Sequence, residues 1–137
     1  MTLAWEQVVI DSADPSALGS WWATALGWTV VTDDPYEVEV QPAPGVTPGL
    51  IFVPVPEARA AKNRLHLDFR PTGTDADQRA EVTRLIGLGA RRMDVGQTDD
   101  ASWVVLADPE GNEFCVLRAA RTPDPAVNAT PRTAASP

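Results

Sequence analysis

The apolar positions of this chain fall into short runs with two different periods, and the order of those runs repeats. The first run is Val8-Val9-Ile10, bounded by Trp5-Glu6-Gln7 and Asp11-Ser12-Ala13, and reads as a strand. Asp14-Pro15 then has the form of a helix start, with a carboxylate to cap free N–H groups and a proline suited to the first helical position. Leu18, Trp21, Trp22, Ala25 and Leu26 follow at helical spacing, and Gly27 is the expected left-handed stop. Strands are predicted over 29–32, 36–41 and 50–55. In the second of these, Val38 and Val40 alternate with Glu37 and Glu39, as in a half-exposed strand. Pro42-Ala43-Pro44-Gly45 and Thr47-Pro48-Gly49 mark the turn that follows.

The second half runs through the same order. A strand is predicted over 64–70, with Leu65, Leu67 and Phe69 on one face and His66 and Asp68 on the other. Thr74-Asp75-Ala76-Asp77 opens a helix through about Leu88, with Ala80, Val82, Leu85, Ile86 and Leu88 as its apolar residues and Gly89 as its stop. Strands follow over 91–95, 103–107 and 112–118, with a tight turn at Asp108-Pro109-Glu110-Gly111. Gln7 and His66 are 59 residues apart and Gly27 and Gly89 are 62 apart, which argues for an internal duplication. The expected fold is therefore α+β, with two βαβββ modules, one over about 3–56 and the other over about 62–119. A generic α+β domain without true repetition is the alternative.

Composition narrows the function classes. The chain has 137 residues, 44% hydrophobic and 22% charged, the balance of one globular domain over 1–120. Nineteen acidic residues against eleven basic ones give a net charge of -8, which disfavours nucleic acid and anionic membranes, since both need basic patches. One cysteine excludes an internal disulfide framework. No apolar run reaches bilayer length, and the first residues lack the pattern of a signal peptide, so a cytoplasmic location is expected. Residues 121–137, rich in Pro, Ala and Thr, are expected to form a disordered tail.

Several segments in this order resemble the vicinal oxygen chelate superfamily: the glyoxalase/bleomycin-resistance/dioxygenase-like proteins, and in particular their actinobacterial glyoxalase-like group. They are Gln7-Val8-Val9-Ile10-Asp11 with Ala13-Asp14-Pro15; Trp21-Trp22 with Leu26-Gly27-Trp28; Lys62-Asn63-Arg64-Leu65-His66-Leu67-Asp68; Leu88-Gly89-Ala90; and the run from Trp103 through Asp108-Pro109-Glu110-Gly111-Asn112 to Cys115-Val116. The resemblance covers about residues 5–118. It implies curved mixed sheets that form a cup, and a homodimer. It also implies, in metal-dependent members, a divalent ion held by His or Gln on each module's first strand and Glu on its fourth. By position those places fall on Gln7, His66 and Cys115, with the remaining one near Phe52. Phe52 offers no ligand atom and Cys115 replaces a carboxylate, so the set reads as degenerate and the expectation is that no catalytic metal is bound.

The candidate residues carry different chemistry. His66 is the single histidine and suits a ligand contact or proton transfer; the plain alternative is a histidine bonded to a neighbour. Asp68 shares its face and is able to donate a carboxylate or to orient the imidazole. Cys115 reads first as a small apolar wall residue. Gln7 supplies a donor and an acceptor. Trp5 and Trp103, with Phe52, are candidate aromatic walls for a flat ligand, although all five tryptophans serve equally well as core. The leading expectation is a small-molecule-binding protein for an aromatic or amphipathic metabolite or natural product. A lyase, isomerase or dioxygenase-like enzyme using His66, with or without a divalent metal, and an accessory subunit with a filled cup, are the alternatives.

Overall fold

The computed structural model describes residues 1–94, 96 and 101–119. The expected tail, and Val95 at the end of one expected strand, lie outside the described residues. The chain runs β1 (Gln7–Ser12), α1 (Pro15–Leu26), β2 (Thr29–Asp33), β3 (Val38–Gln41), β4 (Gly49–Pro54), β5 (Leu67–Phe69), α2 (Gln78–Leu88), β6 (Arg91–Arg92), β7 (Trp103–Ala107) and β8 (Glu113–Leu117). Two four-stranded mixed sheets result, β1-β4-β3-β2 and β5-β8-β7-β6, each with one helix. In each, the first strand pairs parallel with the fourth and the other contacts are antiparallel. The fold is α+β with two βαβββ modules; among the described residues no closed barrel forms.

Local chemistry explains the helix limits. The Asp14 carboxylate accepts from Ala17 N at 3.1 Å, Pro15 occupies the first turn, and Gly27 ends α1 at φ +68°. Asp77 caps α2 and Gly89 ends it at φ +116°. The helix therefore begins at Gln78, later than Thr74.

Both helices bury their apolar sides in one continuous core. Leu18, Trp22, Val38, Val40, Phe52, Val82, Leu85, Leu106, Phe114 and Val116 belong to it. Phe52 is fully buried, contributing roughly 1.5–3 kcal/mol relative to exposure. Trp22 joins the modules: its ring lies 4.9 Å from that of Phe114 and 5.6 Å from that of Phe69. On α2 only Val82 and Leu85 are buried, whereas Ile86 and Leu88 are exposed.

The strand edges differ from expectation in two informative places. β3 starts at Val38 because the Asp34 carboxylate accepts from the backbone N–H of Tyr36 and Glu37, which closes a turn before the strand. β5 starts at Leu67, not Arg64. It pairs only with β8, and that pairing begins at Leu67↔Phe114. Leu65, expected beside Leu67 and Phe69, is consequently 88% exposed.

Candidate functional site

β1 and β5 are the edge strands of their sheets, and a cavity of about 720 Å³ lies between them. Val8 and Ile10 from β1, Trp22 from α1, Leu67 from β5 and Phe114 from β8 supply apolar wall. The 55–63 linker adds Arg59 and Asn63, and the β7–β8 turn adds Asp108, Glu110 and Asn112. Trp5, 66% exposed, and His66 stand in the lining ahead of their strands.

The polar groups around this space are tied down. Asp108 is buried and accepts from Trp22 Nε1 at 3.0 Å, from the backbone N–H of Glu110 and Asn112, and from the Asn112 amide. Glu110 reaches the other module, taking the Ser12 hydroxyl at 2.5 Å and Ala13 N at 2.7 Å. Glu113 is buried, ion-paired with Arg59, and accepts from Asn63 N at 3.0 Å. Charge-assisted bonds of this kind fix a turn strongly. The sequence reading took Asp108-Pro109-Glu110-Gly111 as a turn, which it is, with Gly111 at φ +90°. It missed the turn's second role as a clamp between modules. Glu113 was also missed. Their partners lie 50 to 98 residues away, so no local signal marked them.

Three predicted residues come together on the second module. Asp68 and Cys115 are register partners on β5 and β8, and His66 sits just before β5. His66 Nε2 is 3.5 Å from Asp68 Oδ1, and one ligand atom from each of His66, Asp68 and Cys115 lies within 4.8 Å of the others. His66 and Asp68 are half-exposed at their side chains, while Cys115 is buried. Burial first, then the Asp68 charge and the thiol's bond to Asp68, push the Cys115 thiol up to about 11, against a weaker opposite pull from Lys62. The thiol is therefore protonated at neutral pH, and reads as poorly nucleophilic.

Of the predicted residues Trp5 and His66 line the cavity, Asp68 and Cys115 lie outside its lining, and Gln7, Trp103 and Phe52 sit elsewhere. Gln7 is half-buried on β1 opposite Gly49 and does not line the cavity. Trp103 opens β7 opposite Leu117, 41% exposed and outside the cavity lining. Phe52 requires a correction. It packs under α1, where the space of a Cβ on Gly19 would lie 3.3 Å from its ring, and it does not face the cavity. Aligning the parallel pairs β1/β4 and β5/β8 by their core-facing residues puts Val9↔Ile51 in the place of Asp68↔Cys115. The counterpart of Cys115 is thus Ile51, and the sequence register was one residue off, which turns a side chain to the opposite face.

An oxygen-rich ion of the Mg²⁺ type does not fit these positions. Such ions want several carboxylates, and this group offers one carboxylate, one imidazole and one thiol, with Ile51 and Phe52 unable to contribute.

A family model described as a glyoxalase-like domain matches residues 7–117. Among solved structures, a glyoxalase/bleomycin resistance protein/dioxygenase family enzyme from Burkholderia phytofirmans PsJN is similar, with a TM-score of 0.66 and 18% identity over 86% of this chain and 100% of that one. A possible glyoxalase from Bacillus cereus gives 0.60 and 16% over 85% and 99%. TnmS3, an antibiotic binding protein from Streptomyces sp. CB03234, gives 0.57 and 18% over 87% and 98%. At these identities the likeness shows a common fold. No curated protein matches. Among the described residues no helix is long and apolar enough to cross a membrane.

Proposed function

The chain belongs to the glyoxalase-like domain family, and from that premise we propose that it is a small-molecule-binding protein whose site is the cavity between β1 and β5. The observation that carries this reading is the cavity's make-up. Its volume of about 720 Å³ suits a drug-sized ligand. Its walls are aromatic and aliphatic, and its polar groups are already positioned. Five carboxylates line it (Asp11, Glu57, Asp108, Glu110 and Glu113) against one guanidinium, that of Arg59. The preferred occupant is accordingly an aromatic or amphipathic metabolite or natural product that is neutral or cationic. A fold neighbour described as antibiotic binding supports the same class.

Titration with planar aromatic compounds of neutral, cationic and anionic type, followed by tryptophan fluorescence, tests the proposal, because Trp5 and Trp22 both line the cavity. The expected result is saturable one-to-one quenching by neutral or cationic members. Trp5→Ala is expected to weaken binding about tenfold or more, equivalent to loss of one stacking contact. Unchanged affinity in Trp5→Ala and His66→Ala would place the ligand elsewhere and sink the reading.

One observation favours an enzyme as the second reading. His66 lines the cavity with its Nε2 beside Asp68 Oδ1, an arrangement able to hold an imidazole in position for proton transfer. On that reading His66→Ala abolishes turnover, whereas in a binding protein it only lowers affinity. We extend the proposal to a homodimer, since exposed Trp5, Val9 and Leu65 leave apolar surface at the rim; light scattering reads the mass directly.

A further inference from the structure

A second cavity, of about 450 Å³, lies where the C-terminal end of α1, the end of β5 and one face of α2 meet. It shares Trp22 and Phe114 with the first cavity and is otherwise lined by different residues. We propose that it is a separate binding site for a small planar organic anion, a one- or two-ring aromatic carboxylate, with Arg70 as the charged contact. The inference does not depend on the first cavity having an occupant.

The walls set the organic part of the ligand. The volume falls in the lower part of the range for small-molecule sites. Trp22, Trp28, Phe69 and Phe114 supply four ring systems, and Leu26 and Leu85 add aliphatic surface. Three of the rings are held against one another, with Trp22 at 5.6 Å from Phe69 and 4.9 Å from Phe114. The indole N–H of Trp22 is fixed on Asp108. Rings pinned in this way offer a formed surface to a flat ligand.

Charge sets the polar part. The lining holds two guanidiniums, Arg70 and Arg84, and one carboxylate, Glu81. Arg84 neutralises Glu81, with which it is ion-paired, and donates through Nη2 to Ala25 O at 2.7 Å. Trp28 N and Gly27 N donate to the carbonyls of Ala23 and Thr24. The last carbonyls of α1, whose partial negative charge disfavours an anion, are thus already paired. Arg70 is left over. It follows β5 directly, is exposed, and makes no hydrogen bond or ion pair among the described residues. Its planar fork of donors matches a carboxylate. The first cavity has the opposite balance, five carboxylates against Arg59, so the same anion is steered away from it.

The test uses the full chain, labelled at its indole nitrogens, and titrates it by NMR with naphthoate and separately with neutral naphthamide. Each of the five tryptophans gives its own indole N–H signal, assigned through single Trp→Phe variants. Naphthoate is expected to bind one-to-one, shifting Trp28 and leaving Trp5 in place, because Trp28 lines only the second cavity and Trp5 only the first. Exchanging naphthoate for naphthamide, or Arg70 for Gln, is expected to weaken binding by about tenfold or more, the loss of one charge-assisted contact. Arg91→Gln, at an exposed position on β6 outside both linings, is expected to leave affinity unchanged. Circular dichroism checks that Arg70→Gln folds as the parent does. No saturation up to millimolar naphthoate, a shift centred on Trp5, equal affinity for naphthamide, no loss in Arg70→Gln, or an equal loss in Arg91→Gln would each overturn the assignment. Ligands of the first cavity are read at Trp5, so failure here is separable from failure of that proposal.

Discussion

Module one and module two share a strand order but divide the labour. In module one the strands are four to six residues long, and α1 buries Leu18, Gly19, Trp22, Ala23 and Ala25. In module two, β5 and β6 shrink to three and two residues and α2 buries only Val82 and Leu85. The equivalent pair of sites makes the same point in chemical terms. Val9↔Ile51 in module one is apolar, whereas Asp68↔Cys115 in module two, next to His66, is able to ligate and to titrate. Two modules of one strand order thus support two solutions: one commits its interior to packing, and the other keeps a polar group beside a short edge strand. Shared stability comes from the seam, where Trp22 of module one meets Phe69, Phe114 and Asp108 of module two.

The largest expected effect breaks that seam. Trp22→Ala removes a 3%-exposed indole, two inter-module aromatic contacts and the donor to buried Asp108. Large core aromatics cost about 3–5 kcal/mol when truncated to Ala, and an orphaned buried acceptor adds about 1–3 kcal/mol. Urea unfolding is expected to show a loss in this range, in one transition for both modules. Two separated transitions, with module two retained, would show that the modules are energetically independent.

A second difference is readable at alkaline pH. Cys115 rises from 9.0 to about 11, chiefly because burial penalises the thiolate. Between those values the unfolded chain has lost a proton that the folded chain keeps. Stability contributed by the neutral thiol is thus fully present below pH 9 and is lost as pH rises towards 11. The loss is on the order of 2 kcal/mol. It is isolated by comparing wild type with Cys115→Ala: the wild-type midpoint falls more steeply over that window. Parallel pH curves would show that Cys115 ionises freely and that its surroundings are wetter than its burial indicates.

The sequence made module one more legible than module two, for reasons found in particular residues. α1 was readable because Asp14, Pro15 and Gly27 act within one turn of the helix ends. β5 was misread because alternation at 64–70 is perfect in sequence, yet a strand also needs a partner, and β8 offers one only from Phe114 onward. Phe52 was placed one residue out of register because its face depends on Gly19 and Val38 beneath α1, contacts that period-two patterning does not contain. In the site, alternation put His66 and Asp68 on one face, and the structure brings Cys115 to them across the sheet. The Glu110–Ser12 and Glu113–Arg59 ties had no local mark, because acidic residues in a turn look alike whether solvated or clamped.

A pair of helix glycines, one of them with the smallest effect, sharpens the comparison most, because one substitution is expected to change sign between the two helices. Gly19 lies buried in α1, and a Cβ there would meet Val38 Cγ1 at 2.6 Å and the Phe52 ring at 3.3 Å. Valine is stiff at χ1, so the strand rather than a flexible tip has to yield. Gly19→Ala is therefore expected to destabilise by about 1–3 kcal/mol despite better helix propensity. Gly87 lies exposed in α2 with nothing within 4 Å of a built Cβ. Gly87→Ala is expected to stabilise by up to about 1 kcal/mol, since only backbone entropy changes. Denaturant midpoints with equal m-values check both. If Gly19→Ala also stabilises, α1 is not packed as tightly as its contacts require. If Gly87→Ala destabilises, a surface that is open in the single chain is covered in the assembly, and α2 belongs to an interface.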